Sequence, residues 1–369
     1  MTVASPPDMP ARTGVLAEAR QGNREPLARL AILLLGLFLV LVCALALATG
    51  PLDLDLFRVV GELFGDRRED AVGALRDSVI LWQVRLPRVL LGACVGAALA
   101  VSGALMQGLF RNPLADPGIV GVSAGAGLGA ALMIVLGGTI LAPFSAFAGF
   151  YALPFAAFIG ALLTTFTLYR IGTRGGFTSV ATMLLAGIAL AALAGAATGL
   201  LIFVADDQQL RDLNFWGLGS LAGATWEKLS AVAPIIAIVL LSMPFFASGL
   251  NGLLLGEAGA AHLGVRVQRL KAGSIVAVAA ATGASVAVSG GIGFVGIVVP
   301  HLLRLTIGPD HRHLLPASAL LGASLLILAD TVSRTVVAPA ELPIGIVTAI
   351  AGAPVFLWIL LGRKGLTSL

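Results

Sequence analysis

The chain has 369 residues, of which 58% are hydrophobic and 11% charged, with a net charge of +4 and a mean hydropathy of +1.00. Soluble domains carry about 25% charged residues, so a water-soluble globule is excluded and a polytopic membrane protein is indicated. The basic residues are scattered through short connections rather than gathered on a stripe, which argues against a nucleic-acid partner.

In chain order, residues 1–29 carry Pro6, Pro7, Pro10, Arg12, Arg20, Arg24 and Arg29 and read as a polar cytoplasmic tail, with a transmembrane domain over 30–369. The apolar run Leu30–Ala48 exceeds the core of a cleaved signal peptide, about 7 to 15 residues, so it is read as an uncleaved first span. Apolar windows predict an all-α fold of ten spans, near 30–50, 89–110, 118–138, 149–169, 179–204, 229–247, 268–288, 293–307, 314–331 and 343–361. The eighth is the weakest, being short and interrupted by Pro300 with His301 and Arg304 close behind, and is expected to be either partly broken or shielded by its neighbours. An even count puts both termini on one side. Most Lys and Arg residues fall on that side, among them Arg12, Arg24, Arg111, Arg170, Arg174, Arg363 and Lys364, which makes it the cytoplasmic one. Five spans in each half are compatible with two halves of inverted topology, although the halves share only faint similarity.

The stretch from Arg85 to Gly129 carries two small-residue stripes. Gly92, Gly96, Ala100, Ala104 and Gly108 recur every four residues, as do Gly121, Gly125 and Gly129, and each stripe should let another helix approach closely. Between them RNPLADPG, with two prolines and two charges, should be a turn in a polar zone. Three connections are long enough to fold locally. The one over 51–82 reads as a solvated connector, with a short amphipathic surface helix as the alternative. The one over 206–228 places Phe215, Trp216 and Trp226 as interfacial anchors. The one over 248–271 is too polar to span, has helix-like apolar positions at Leu254, Ala258 and Leu263, and is suited to touching another protein.

No G-x-x-x-x-G-K-[ST] phosphate cradle occurs, and the spans are almost free of the acids that ion-coupled carriers keep, Asp330 and Arg334 lying near a predicted external end. The energy source is therefore expected on another chain, with an ion-coupled carrier or a membrane enzyme as rival classes. His262, His301, His311 and His313 fall on or near the cytoplasmic side without an H-E-x-x-H helix or paired carboxylates. Cys43 and Cys94 sit singly in apolar runs. No catalytic residue, metal site or permanently bound cofactor is expected.

RLPR at Arg85, SGALMQGLFRNPLADPGIVGVSAGAG, LLLGEAGAAHLGV, SGGIGFVGIVVPHLLRL, ADTVSR and ELPIGIVTAIAGAPVFLWILL resemble the iron-chelate and vitamin B12 type ABC importer permeases, from about Trp82 to Leu361. The resemblance implies a homodimer of ten-helix subunits in a bacterial inner membrane, two cytoplasmic ATPase subunits that use ATP, and a periplasmic binding protein that delivers cargo. FWGLGSLAGATW looks most like the haem importer permeases, so haem is the expected cargo, ahead of a ferric siderophore and vitamin B12. By position within the family, Arg85, Arg88 and Arg334 would dock the binding protein, phosphate snorkelling being the alternative. Asn112, Leu114, Thr178 and Ser179 would form the cytoplasmic gate, helix capping being the alternative. Gly256, Glu257, His262, Leu263 and Gly264, within a coupling segment of about 250–266, would engage the ATPase, and a membrane-surface helix is the alternative.

Overall fold

The computed structural model describes residues 24–50 and 71–361. Residues 1–23 of the N-terminal tail, 51–70 of the connection over 51–82, and 362–369 with Arg363 and Lys364 lie outside the described residues. Helix α1 (Glu25–Ala48) therefore starts inside the segment read as tail, with Pro26 in its first turn. Helix α2 (Ala71–Val79) runs through one π-type turn (Ile80–Arg85) into α3 (Leu86–Phe110). The wide turn falls just before Pro87, whose ring would clash with the carbonyl four residues back in a regular α-helix. A 3-10 turn (Pro117–Val120) leads into α4 (Val122–Leu136), and a short α5 (Ala142–Ala148) precedes α6 (Ala152–Gly172). After it come β1 (Thr173–Arg174) and β2 (Phe177–Thr178), then α7 (Val180–Val204), α8 (Asp207–Leu218), α9 (Trp226–Leu253) and α10 (Gly256–His262). The chain closes with α11 (Val267–Ser289), α12 (Val295–Ile307), α13 (His311–Thr335) and α14 (Ile344–Leu361).

Each of the ten predicted apolar windows coincides with one long or medium helix. Among the described residues seven helical segments are long and apolar enough to cross a membrane, and the remaining three windows match the shorter apolar helices α4, α12 and α14. The bundle has an inner and an outer set. In their most apolar windows α3, α11 and α13 are 83%, 78% and 61% buried, whereas α1 and α7 are 11% buried and α6 17%. The outer helices present large apolar side chains such as Leu33, Leu200 and Phe203 to their surroundings, a surface that only lipid or another subunit can cover.

Both small-residue stripes do what their spacing predicts. On α3, Gly96 lies against the backbone of Gly322 in α13, where an added Cβ would meet the carbonyl oxygen at 2.3 Å, and Gly108 faces the His311 ring. On α4, Gly125 meets Gly160 and Thr164 of α6, and Gly129 meets Ala156 one turn along. Without water to drive helix association, such close backbone contact is what holds helices together in lipid.

Of the two readings of the eighth span, the break is not seen: α12 is continuous through Pro300, but at thirteen residues it is only about 20 Å long. The missing length is supplied by the non-helical segment Gly290–Phe294, whose backbone is shielded by two other loops. Ser220 N–H donates to Ser289 C=O at 2.7 Å, Gly291 N–H to Trp216 C=O at 3.4 Å, and Ile344 N–H to Gly219 C=O at 3.0 Å. Irregular backbone is tolerated at membrane depth when protein satisfies it in this way. Gly290, at φ 69°, fits only as glycine, since a Cβ would stand 2.1 Å from the Trp216 carbonyl.

The 206–228 connection is also more ordered than an interfacial loop. Asp206 and Gln209 form a reciprocal capping box at the start of α8, and Gln209 Nε2 donates to Val135 C=O at 3.2 Å. Phe215 stays exposed, and Trp226 Nε1 donates to the Trp82 carbonyl at 2.9 Å.

Candidate functional site

Arg85, Arg88 and Arg334 come together at one end of the bundle, where the N-terminal part of α3 meets the C-terminal part of α13. All three are buried, between 3% and 7% exposed. Arg88 forms a fork on two carboxylates: Nε and Nη2 reach Asp330 at 2.8–3.1 Å, and Nη1 and Nη2 each reach Glu341 at 2.9 Å. Arg85 Nη1 donates to the Leu47 and Ala48 carbonyls, and Arg334 Nη2 donates to that of Ala46. These carbonyls are the unpaired C-terminal acceptors of α1, where cations are favoured. The three guanidinium groups thus clamp α1, α3 and α13 to each other, so snorkelling to lipid phosphate does not describe them. Asp330 and Glu341 are the partners that sequence reasoning left out. The only local signal was the spacing of Asp330 and Arg334, one helical turn apart.

Of the residues expected to form a gate, Asn112 and Leu114 follow the other end of α3, and Thr178 and Ser179 lie on β2 and at the start of α7. Arg111 caps α3 in the left-handed region at φ 49°, and the Asn112 carboxamide oxygen accepts from Leu114 N–H at 3.0 Å, closing an Asx turn. Ser179 caps α7 by accepting from Thr182 N–H at 3.3 Å. The capping readings of Asn112 and Ser179 therefore hold, beside whatever else these residues do. Thr178 differs. It ends a two-stranded hairpin whose loop, Gly175–Gly176, has φ of 56° and 81°, the combination that a two-residue turn requires. Thr178 is 4% exposed, its Oγ1 lies 2.9 Å from that of Thr173, and its N–H donates to Gln268 Oε1 at 2.9 Å.

The segment expected to couple, about 250–266, begins in the last turn of α9. Since α9 continues to Leu253, only α10 and its flanks remain outside the bundle. The buried contact there is Ala260, while Leu254, Ala258 and Leu263, the positions expected to form an apolar face, are exposed. Gly256 and Gly264 bracket α10 at φ 91° and 82°, and His262 and Leu263 lie at its exposed end, Leu263 at 65%. Glu257 is half exposed, and one of its carboxylate oxygens accepts from Lys271 Nζ at 2.7 Å. The same nitrogen donates to the Thr178 carbonyl at 2.7 Å. On the other flank, Gly256 lies beside the Arg111 guanidinium, with 3.6 Å between it and a Cβ built there.

Glu257, expected in coupling, and Thr178, expected in the gate, thus meet at one end of the molecule through Lys271, which is 2% exposed. Sequence reasoning counted that lysine only as a loop charge. A second link passes through Asn251 near the end of α9. Its Nδ2 donates to Asp310 at 2.6 Å, while its Oδ1 accepts from the N–H of His311 at 2.9 Å. Burial pushes the Asp310 carboxyl up, but the Arg312 N–H, the Asn251 amide and the nearby His313 and Arg312 charges more than offset it and hold it below the usual carboxylate range. Among the described residues no group of three His, Cys, Asp or Glu side chains is placed to hold a metal ion.

Residues 37–362 match the model of the FecCD transport family. The chain is 46% identical over 338 residues to the hemin transport system permease protein of Yersinia pestis, covering 90% of this chain and 96% of the relative. It is 45% identical over 286 residues to the cobalamin import system permease of Halobacterium salinarum, covering 78% and 74%, and 41% identical over 342 residues to the vitamin B12 import system permease of Vibrio cholerae, covering 92% and 96%. Its fold is similar to that of a solved metal-chelate type ABC transporter in an inward-facing conformation, with a TM-score of 0.75 and 34% identity over 88% of this chain and 96% of that one.

Proposed function

The chain belongs to the FecCD transport family and is the permease subunit of an ABC importer, without a nucleotide-binding domain of its own, and we propose that its cargo is haem. The similarity to the hemin permease, which covers nearly all of both chains, carries this reading. The segment Phe215–Trp226, which resembles that of the haem importer permeases, supports it too, and it lies at the arginine end, where cargo would enter. Membership of the family removes the ion-coupled carrier and the membrane enzyme as rivals.

In this reading two copies of the chain face each other across a pathway, and the poorly buried, apolar α7 supports such a contact. The arginine end faces the periplasm and receives a binding protein, while α10 faces the cytoplasm and receives an ATPase subunit. Both chain termini are then cytoplasmic, in a bacterial inner membrane. Because Arg85, Arg88 and Arg334 are buried, docking on this end would engage them through their exposed neighbours, Glu341 first. The turn at Asn112 and Leu114, with Thr178 and Ser179, closes the inner end of the pathway. An almost chargeless channel suits a bulky planar cargo, since weak apolar walls let it pass where strong ligation would trap it.

ATP-driven uptake of labelled haem, a ferric siderophore and vitamin B12 into vesicles containing the full complex tests the cargo. Haem should be favoured over the other two, and preference for either of them replaces the haem assignment. In a chain with Cys43 and Cys94 replaced, Leu114→Cys in both copies should cross-link and block uptake reversibly. Failure to cross-link in every nucleotide state would place the seal elsewhere.

A further inference from the structure

We infer that Lys271 is the tie through which α10 moves the gate hairpin, so that it acts as a positioning residue between the ATPase and the pathway. This rests on the importer reading above, in which α10 meets the ATPase and Thr178 belongs to the gate. One ammonium group serves two elements at once, the Glu257 carboxylate on α10 and the Thr178 carbonyl on β2, each at 2.7 Å. Its surroundings are unequal: the Lys271 side chain is 3% exposed and that of Glu257 46%. Glu257 therefore stands on the outer surface while the charge it anchors is inside the bundle. A buried ammonium is costly without its partners, which makes the pairing hard to give up.

The hairpin has little else to hold it. Its strands are two residues each, and both backbone groups of Thr178 are held by α11, the N–H by Gln268 and the C=O by Lys271, one helical turn apart. A single nitrogen cannot follow Glu257 far without leaving the Thr178 carbonyl. Displacing α10 must therefore either drag β2 or free it, and Ser179, the next residue, is the N-cap of α7. The tie thus reaches from an exposed carboxylate to the first turn of a candidate pathway helix.

The test uses the full complex with its ATPase, a chain lacking Cys43 and Cys94, and Phe177→Cys, a position 73% exposed on the hairpin. The rate of labelling by a soluble maleimide is read with and without ATP. Coupling free energies between linked sites correspond to about 5- to 150-fold, so ATP should change the wild-type rate by at least about fivefold. Lys271→Met should abolish that change while the ATPase stays bound and hydrolyses ATP, Lys271→Arg should restore it, and Glu257→Gln should weaken it. Transport per ATP should fall in parallel. A merely structural lysine would lower the melting temperature without altering the response of correctly assembled complexes. An unchanged ATP response in both Lys271→Met and Glu257→Gln overturns the inference, as does a wild-type hairpin that ignores ATP while haem is transported. Absence of ATP-driven uptake of any cargo would instead sink the importer function proposed above.

Discussion

The two ends of the bundle handle charge in opposite ways. At the arginine end, Arg88 is held by two carboxylates in a fork, and Arg85 and Arg334 grip the last carbonyls of α1, so three helices are locked by three guanidinium groups and Asp330, each less than a tenth exposed, with Glu341 at the rim. At the hairpin end the ties are single: one lysine between Glu257 and Thr178, one asparagine between α9 and the start of α13, and an Asx turn at Asn112. Redundant buried pairing makes an end that moves as a block. Single ties with one half-exposed partner make an end that can exchange contacts, which suits the side where an ATPase would deliver motion.

The largest expected effect tests the locked end. Arg88→Met strips buried Asp330 of its hydrogen-bonded fork and leaves it only the Arg334 guanidinium at 3.7 Å, and breaking such a buried pair costs about 3–5 kcal/mol, read as a lower denaturation midpoint in detergent. Adding Asp330→Leu should recover part of the loss, because the uncompensated charge is then gone. A loss below about 1 kcal/mol, the range of an exposed pair, would break the comparison. Next comes the loop junction beside that end: Gly290→Ala should cost about 1–3 kcal/mol or more through overpacking against the Trp216 carbonyl. A neutral result would mean that the three loops are not held as tightly as their hydrogen bonds indicate.

At the hairpin end, effects should appear in association more than in folding. Leu263→Asp changes an exposed side chain, so the melting temperature should stay unchanged while ATPase affinity falls about tenfold, equivalent to about 1.4 kcal/mol. Normal co-purification of the ATPase would remove α10 from the interface.

The smallest effect concerns Asp310, which accepts from the Arg312 N–H at 2.9 Å. Asp310→Ala should cost about 1 kcal/mol as a lost helix cap, whereas Asp310→Asn, which keeps an accepting oxygen, should cost less. The sign with pH follows from the depressed carboxyl. The folded state binds fewer protons than the unfolded state between the two pKa values, so its contribution is complete above the ordinary carboxylate range. It is lost as pH falls through the folded-state value. Wild type and Asp310→Ala should converge in stability on acidification, and a gap that widens instead would contradict the assigned hydrogen bonds.

Some of this molecule could be read without coordinates because the bilayer imposes local rules. A span needs a long apolar run, and close helix contact needs small residues at helical spacing, so the ten helices and the packing faces of Gly96, Gly108, Gly125 and Gly129 were legible from windows of a few turns. The family motifs were legible for the same reason, being contiguous. What periodicity cannot encode is which distant group answers a polar one. Arg88 looked like a surface charge at a span end, and only the fold, by bringing α13 antiparallel to α3, set it against Asp330, 242 residues away in the chain. Lys271 was one loop cation among many until Thr178 and Glu257 were placed on either side of it. The meeting of Gly219, Gly290 and Gly345 is likewise a property of two loops and the first turn of α14, which share no local pattern. Hydrophobic transfer acts residue by residue along the chain, whereas satisfying a buried charge or carbonyl requires a partner that tertiary structure alone supplies.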